Sequence, residues 1–127
     1  MSFNRPSREE AKNRIQELVN RFDKNKKQYL DKSYDETNVR VEFIDKFFEA
    51  LGWDVYNEKG ATNDKKEVLR EEDLKMNDAT KHPDYAFNDR GQTLFFVEAK
   101  KPSVDIKDDK TPAYQLRRYG WNKKLAI

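Results

Sequence analysis

Apolar positions recur at helical spacing in two stretches of the chain. Ala11, Ile15, Leu18, Val19 and Phe22 fall on one face of a helix, and Ser7 with Glu10 gives the capping-box pattern that opens it. Phe43, Ile44, Phe47, Phe48 and Leu51 form a second stripe. Thr37 or Asn38 stands where that helix would be capped, and Gly52 where its C-terminal cap belongs. Residues 25–33 between the two are polar and read as a linker. Beyond Gly52, residues 53–56 read as a strand, 57–64 as a loop and 66–70 as a short strand. The stretch 71–81 is polar and shows no decisive period.

Residues 84–87 and 93–101 read as two strands joined by Asn88-Asp89-Arg90-Gly91-Gln92, a five-residue turn with glycine near its end. Leu94-Phe95-Phe96-Val97 does not alternate, the mark of a strand buried on both faces, and Pro102 ends it. Thr111-Pro112 opens a third helix running to about Tyr119, with Gly120 as its stop. Leu125-Ala126-Ile127 begins a further apolar segment that reads as the start of a strand. The expected class is α/β, a mixed β-sheet centred on the hairpin and flanked by helices. Residues 1–36 form a helical extension and 37–127 the main domain, expected to be cut short at its C-terminal strand.

Composition narrows the chemistry mostly by exclusion. The chain has 127 residues, no Cys, a single His and four isolated Gly. Disulfides, thiolate zinc sites and cysteine nucleophiles are excluded, as are two-histidine metal motifs and glycine-rich phosphate cradles. Carboxylates, lysines and hydroxyls remain. Charged residues make up 39% and mean hydropathy is −1.17, values that suit disorder, but 13% of residues are aromatic and they cluster, which suits a folded domain with a charged surface. No apolar run approaches the ~20 residues of a membrane span, and the N-terminus has no signal-peptide core. The expected compartment is the cytoplasm, with no membrane partner. The net charge of +2 hides a pattern: +3 over residues 1–40, −5 over 41–79 and +4 over 80–127. A total this small does not argue for nucleic acid by itself.

The residues that carry chemistry are Asp84, Glu98 and Lys100. On a strand, Glu98 and Lys100 share a face. If Phe87 pairs with Thr93, Asp84 lies opposite Phe96, and all three charged groups share one face at one end of the hairpin. A one-residue slip would break this arrangement. Charges brought together at the end of a buried strand must be paired or bound to a metal. Two carboxylates plus a backbone carbonyl suit Mg²⁺, and Lys100 could serve an attacking water. An ordinary ion pair of Lys100 with Glu98 or Asp84 accounts for the same residues equally well.

Pro83-Asp84-Tyr85 followed by Phe96-Val97-Glu98-Ala99-Lys100-Lys101 resembles the signature of the PD-(D/E)XK nuclease superfamily. More narrowly, the chain is similar to the N-terminal nuclease domain of type IIG restriction enzymes, which are fused to an adenine methyltransferase. The likeness lies in Val41-Glu42-Phe43-Ile44 through Ala50-Leu51-Gly52-Trp53-Asp54-Val55, then residues 83–87, then 95–105 running into Pro112-Ala113-Tyr114-Gln115-Leu116-Arg117-Arg118-Tyr119. The R subunit of type I restriction enzymes carries a similar domain and is the nearest competitor.

The resemblance implies a restriction-endonuclease-like fold and Mg²⁺-dependent hydrolysis of double-stranded DNA, with Mn²⁺ a possible substitute. It makes Asp84, Glu98 and the Ala99 carbonyl metal ligands and Lys100 the catalytic lysine. Glu42 matches the acidic residue that often completes such a site, and Gln115 and Tyr119 match a Gln-x-x-x-Tyr element of a subset of these nucleases. Lys101, Arg117 and Arg118 are the candidates for DNA phosphates. Methyltransferase and target-recognition domains of the same polypeptide are the implied partners, with S-adenosylmethionine bound there. The alternative is a catalytically inert nuclease-fold module for DNA binding or scaffolding. A third reading is a partner-docking domain that uses the Phe-rich helix.

Overall fold

The structure, a computed structural model, describes residues 3–75 and 82–104. The expected helix 112–119, the C-terminal apolar segment, Gln115, Arg117, Arg118 and Tyr119 lie outside the described residues.

Helix α1 spans Arg8–Lys24, and its N-cap Ser7 accepts the Glu10 N–H at 3.1 Å, as the capping pattern requires. Residues 25–33 are more than a linker. They contain a short helix α2 (Lys26–Tyr29), and Tyr29 is buried. Its ring packs on Phe22, Tyr34 and Phe43, with centroids 5.7, 4.9 and 5.0 Å away. One aromatic residue among polar ones carries no period, so this buried ring was not legible along the chain.

The second helical stripe is one continuous run in three parts: α3 (Glu36–Val39), a π-helical turn (Arg40–Ile44) and α4 (Asp45–Ala50). Its N-cap is Asp35, whose carboxylate accepts the Asn38 N–H at 3.0 Å, and not Thr37 or Asn38. Gly52, at φ +103°, ends the run as expected, in a conformation that side chains with a Cβ disfavour. Helix α1 packs against α4.

Residues 53–56 coil instead of forming a strand. The buried Asp54 carboxylate accepts the N–H groups of Glu58 and Lys59 at 2.8 and 3.1 Å, which curls the chain back on itself. Strand β1 (Val68–Arg70) follows, then a short helix α5 (Glu71–Lys75), then β2 (Tyr85–Asp89) and β3 (Gln92–Val97). They form a three-stranded antiparallel sheet in the order β1-β2-β3. The α/β class holds, and over the described residues the sheet is antiparallel.

The core lies where α4 meets the sheet. Val55, Val68, Tyr85 and Phe87 are buried there, with Ile44, Phe48, Trp53 and Val97 packed against them. Phe87 is the hub, its ring 4.4 Å from Phe48, 5.1 Å from Trp53 and 4.7 Å from Phe95. The buried strand is therefore β2, from Tyr85 to Asn88. The expectation that β3 would be buried on both faces fails: Leu94 is 51% and Phe95 36% exposed. Among the described residues β3 pairs on one side only, and part of its apolar surface is exposed.

The hairpin turn is also tighter than expected. Asp89 pairs with Gln92 across Arg90-Gly91, both at positive φ (52° and 80°), the geometry of a two-residue primed turn. A bulge then falls between Phe87 and Asn88, so Phe87 pairs with Phe95 and Tyr85 with Val97. No described helix is long and apolar enough to cross a membrane.

Candidate active site

Asp84 immediately precedes β2, the most buried strand, and is fixed by both of its neighbours. Its backbone carbonyl accepts the Glu71 N–H at 3.0 Å, which carries the β1–β2 pairing one step further. Its side-chain Oδ2 accepts the Ala99 N–H at 2.8 Å. Continuing the β2–β3 register one step places Asp84 opposite Glu98. The pairing expected from the sequence sets Asp84 opposite Phe96 instead. The shorter turn and the bulge each shift the pairing by one residue. Together they displace the β2–β3 register by two residues.

Strand β3 ends at Val97, so Glu98, Ala99, Lys100 and Lys101 follow it as irregular chain and not as the strand continuation expected. Ala99 is buried, Glu98 keeps its Oε2 away from solvent, and Lys100 and Lys101 are half-buried. Asp84, Glu98 and the Ala99 carbonyl supply oxygen donors at this end of the hairpin. Among the described residues no group of three or more His, Cys, Asp or Glu side chains could together hold a metal ion.

Glu42 sits in the π-helical turn, where its Oε2 accepts the Tyr34 hydroxyl at 2.6 Å. Burial, together with this carboxylate, pushes the Tyr34 phenol well above its ordinary range. From the same turn, Arg40 reaches Asp84. Its Nη1 lies 3.5 Å from Asp84 Oδ1 and 3.9 Å from Glu71 Oε2, while Nη2 lies 3.5 Å from Thr37 Oγ1. Arg40 and Glu71 were not singled out in the sequence. An arginine forty-four residues from Asp84 carries no local signal of that contact.

Beside this site, Tyr85 projects into a second polar cluster. Asp45, 3% exposed, accepts the Tyr85 hydroxyl at 2.6 Å and Arg70 Nη1 at 3.1 Å. Burial and the Asp45 bond raise the Tyr85 phenol far above its usual range. This cluster locks α4 to β1 and β2 and so fixes the strand that presents Asp84. An apolar groove lined by Leu18, Phe22, Phe43, Phe47 and Val97 runs between α1, the Phe-rich helix and β3.

No family model matches the chain, and no solved structure matches it. The chain is 43% identical over 118 residues to the Type II restriction enzyme and methyltransferase RM.Eco57I of Escherichia coli. The match covers 91% of this chain and 12% of that protein, so the chain spans a small share of the curated relative it matches.

Proposed function

We propose that the chain is the endonuclease part of a restriction–modification enzyme and hydrolyses phosphodiester bonds of double-stranded DNA with Mg²⁺, or Mn²⁺ in its place. The likeness to a restriction enzyme and methyltransferase supports the class of activity. The observation that carries the site is the Asp84–Ala99 hydrogen bond, which ties the residue before β2 to the Glu98-Ala99-Lys100 segment after β3. The donor chemistry fits the metal: two carboxylates and a carbonyl are hard oxygen ligands, and Mg²⁺ takes one or two carboxylates while water and substrate oxygens complete its shell.

When bound, the metal would acidify a water and offset charge building on the phosphate. The chain's own residues do the rest. Asp84 and Glu98, with the Ala99 carbonyl, would hold the ion. Lys100 orients the attacking water and offsets negative charge on the phosphate as the bond to the 3′ oxygen breaks, leaving 5′-phosphate and 3′-hydroxyl ends. Glu42, Gln115 and Tyr119 support the site, and Lys101, Arg117 and Arg118 meet backbone phosphates. Methylation and choice of DNA sequence belong to methyltransferase and target-recognition domains of the same polypeptide, where S-adenosylmethionine would bind.

The test is cleavage of plasmid DNA by the full chain carrying Asp84→Asn, Glu98→Gln or Lys100→Met. Each is expected to abolish cutting while the protein stays folded. Undiminished cutting by the Asp84→Asn protein would overturn the proposal. Wild-type protein that neither cuts DNA nor binds Mn²⁺ through Asp84 would point to an inert nuclease-fold module instead.

A further inference from the structure

We propose that Arg40 is the resident counter-ion of the metal position, so that metal uptake at Asp84 is an exchange of one cation for another. This rests on the nuclease reading above, which assigns the metal to Asp84. The carboxylate has two oxygens, and Oδ2 is occupied by the Ala99 N–H at 2.8 Å. Oδ1 is the oxygen that faces a cation, at Arg40 Nη1.

The contacts of Arg40 are long. Its Nη1 stands 3.5 Å from Asp84 and 3.9 Å from Glu71, one nitrogen shared between two carboxylates and close to neither. Its remaining side-chain hydrogen bond, to Thr37 Oγ1, is 3.5 Å. The same chain shows what a committed pair looks like: Arg5 grips Glu67 with two nitrogens, at 3.2 and 2.8 Å. The Arg40 and Asp84 side chains are nevertheless only 17% and 15% exposed. A carboxylate so far out of water needs a nearby positive charge, and here that charge is held loosely.

Glu71 explains how the exchange proceeds without stranding a charge. When a divalent ion takes Oδ1, the displaced guanidinium turns to the Glu71 carboxylate it already faces. No orphaned cation is left against the incoming metal. Arg40 is thus a positioning residue: it pairs with Asp84 and aims its carboxylate in the metal-free protein, then yields. Glu71 is the receiving partner and not a metal ligand.

The test is Mn²⁺ binding to the full chain without DNA, read by electron paramagnetic resonance of free Mn²⁺. Arg40→Gln is expected to bind Mn²⁺ about threefold more tightly or better, since it removes a competitor. Arg40→Lys should restore affinity toward wild type, and Asp84→Asn should lose the site. Glu71→Gln should weaken Mn²⁺ binding about threefold, because Arg40 then has nowhere to go. A folded Arg40→Gln protein with unchanged or weaker affinity overturns this inference alone, provided that wild type binds Mn²⁺ through Asp84. If wild type shows no Asp84-dependent binding, the metal reading falls as well. Should Arg40→Gln fail to fold, unchanged or tighter binding by Glu71→Gln overturns the inference.

Discussion

Asp84 Oδ2 accepts the N–H of Ala99 at 2.8 Å, joining the entry of β2 to the segment that leaves β3. Ala99 is 2% exposed, so its N–H has no water to fall back on. Asn at position 84 keeps an acceptor for that N–H but loses the charge, whereas Ala loses both. Asp84→Asn is expected to lower DNA cleavage at least ~100-fold with little change in melting temperature. Asp84→Ala should show the same loss of cutting together with about 1–2 kcal/mol of destabilisation in urea.

Tyr85→Phe removes the hydroxyl bonded to Asp45 and leaves that buried carboxylate with Arg70. The expected loss is about 1–3 kcal/mol by urea denaturation. Burial and the Asp45 bond raise the phenol in the folded state, so the native protein keeps a proton that the unfolded chain gives up. The stability from this group is present below the ordinary tyrosine value of 10.0 and is lost as pH rises beyond it. The alkaline decline in melting temperature should be shallower in Tyr85→Phe. Tyr34 and Tyr56, raised in the same direction, contribute to the slope that remains.

Glu67 governs the acid limb. Burial alone would raise its carboxyl, but hydrogen bonds from Arg5, Lys59 and the Asp54 N–H outweigh burial and hold it down at about 2, against an ordinary 4.5. Its contribution is full above the ordinary value and disappears as pH falls from there toward about 2. Glu67→Gln should therefore be less stable than wild type at pH 7, with the difference shrinking as pH is lowered through that window. Thermal unfolding across pH 2–7 checks this.

The hairpin turn offers a change in the opposite direction. Arg90 holds φ at 52°, a left-handed conformation that asparagine adopts more readily. Arg90→Asn is expected to stabilise by about 0.5–1 kcal/mol. Gly91→Ala should destabilise by about 1 kcal/mol or more, because its φ is +80° and an added Cβ would stand 3.1 Å from the Asp64 carbonyl oxygen. Melting temperatures of the two variants should move to opposite sides of wild type.

Local patterns were legible where they repeat or where a single residue type forces a geometry. The Ser7 cap, the apolar stripes of α1 and α4, and Gly52 at the end of the run all follow from short-range rules. The readings that failed lacked such rules. Tyr29 is buried because three other rings surround it, and residues 53–56 coil because the Asp54 side chain captures main-chain donors. Leu94 and Phe95 look like a doubly buried strand, yet burial is decided by where β3 stands in the sheet, and β2 took the centre.

The sequence by itself determined which residue types are available for chemistry and where α1 and the Phe-rich helical run lie. Tertiary structure alone decided the rest: the tight turn and bulge that set Asp84 one step beyond Tyr85↔Val97, the Ala99 N–H that holds it, and Arg40 and Glu71 as its charged surroundings. These contacts join groups far apart along the chain. Their formation depends on how α4, the sheet and the π-helical turn pack together, and no local preference encodes that packing.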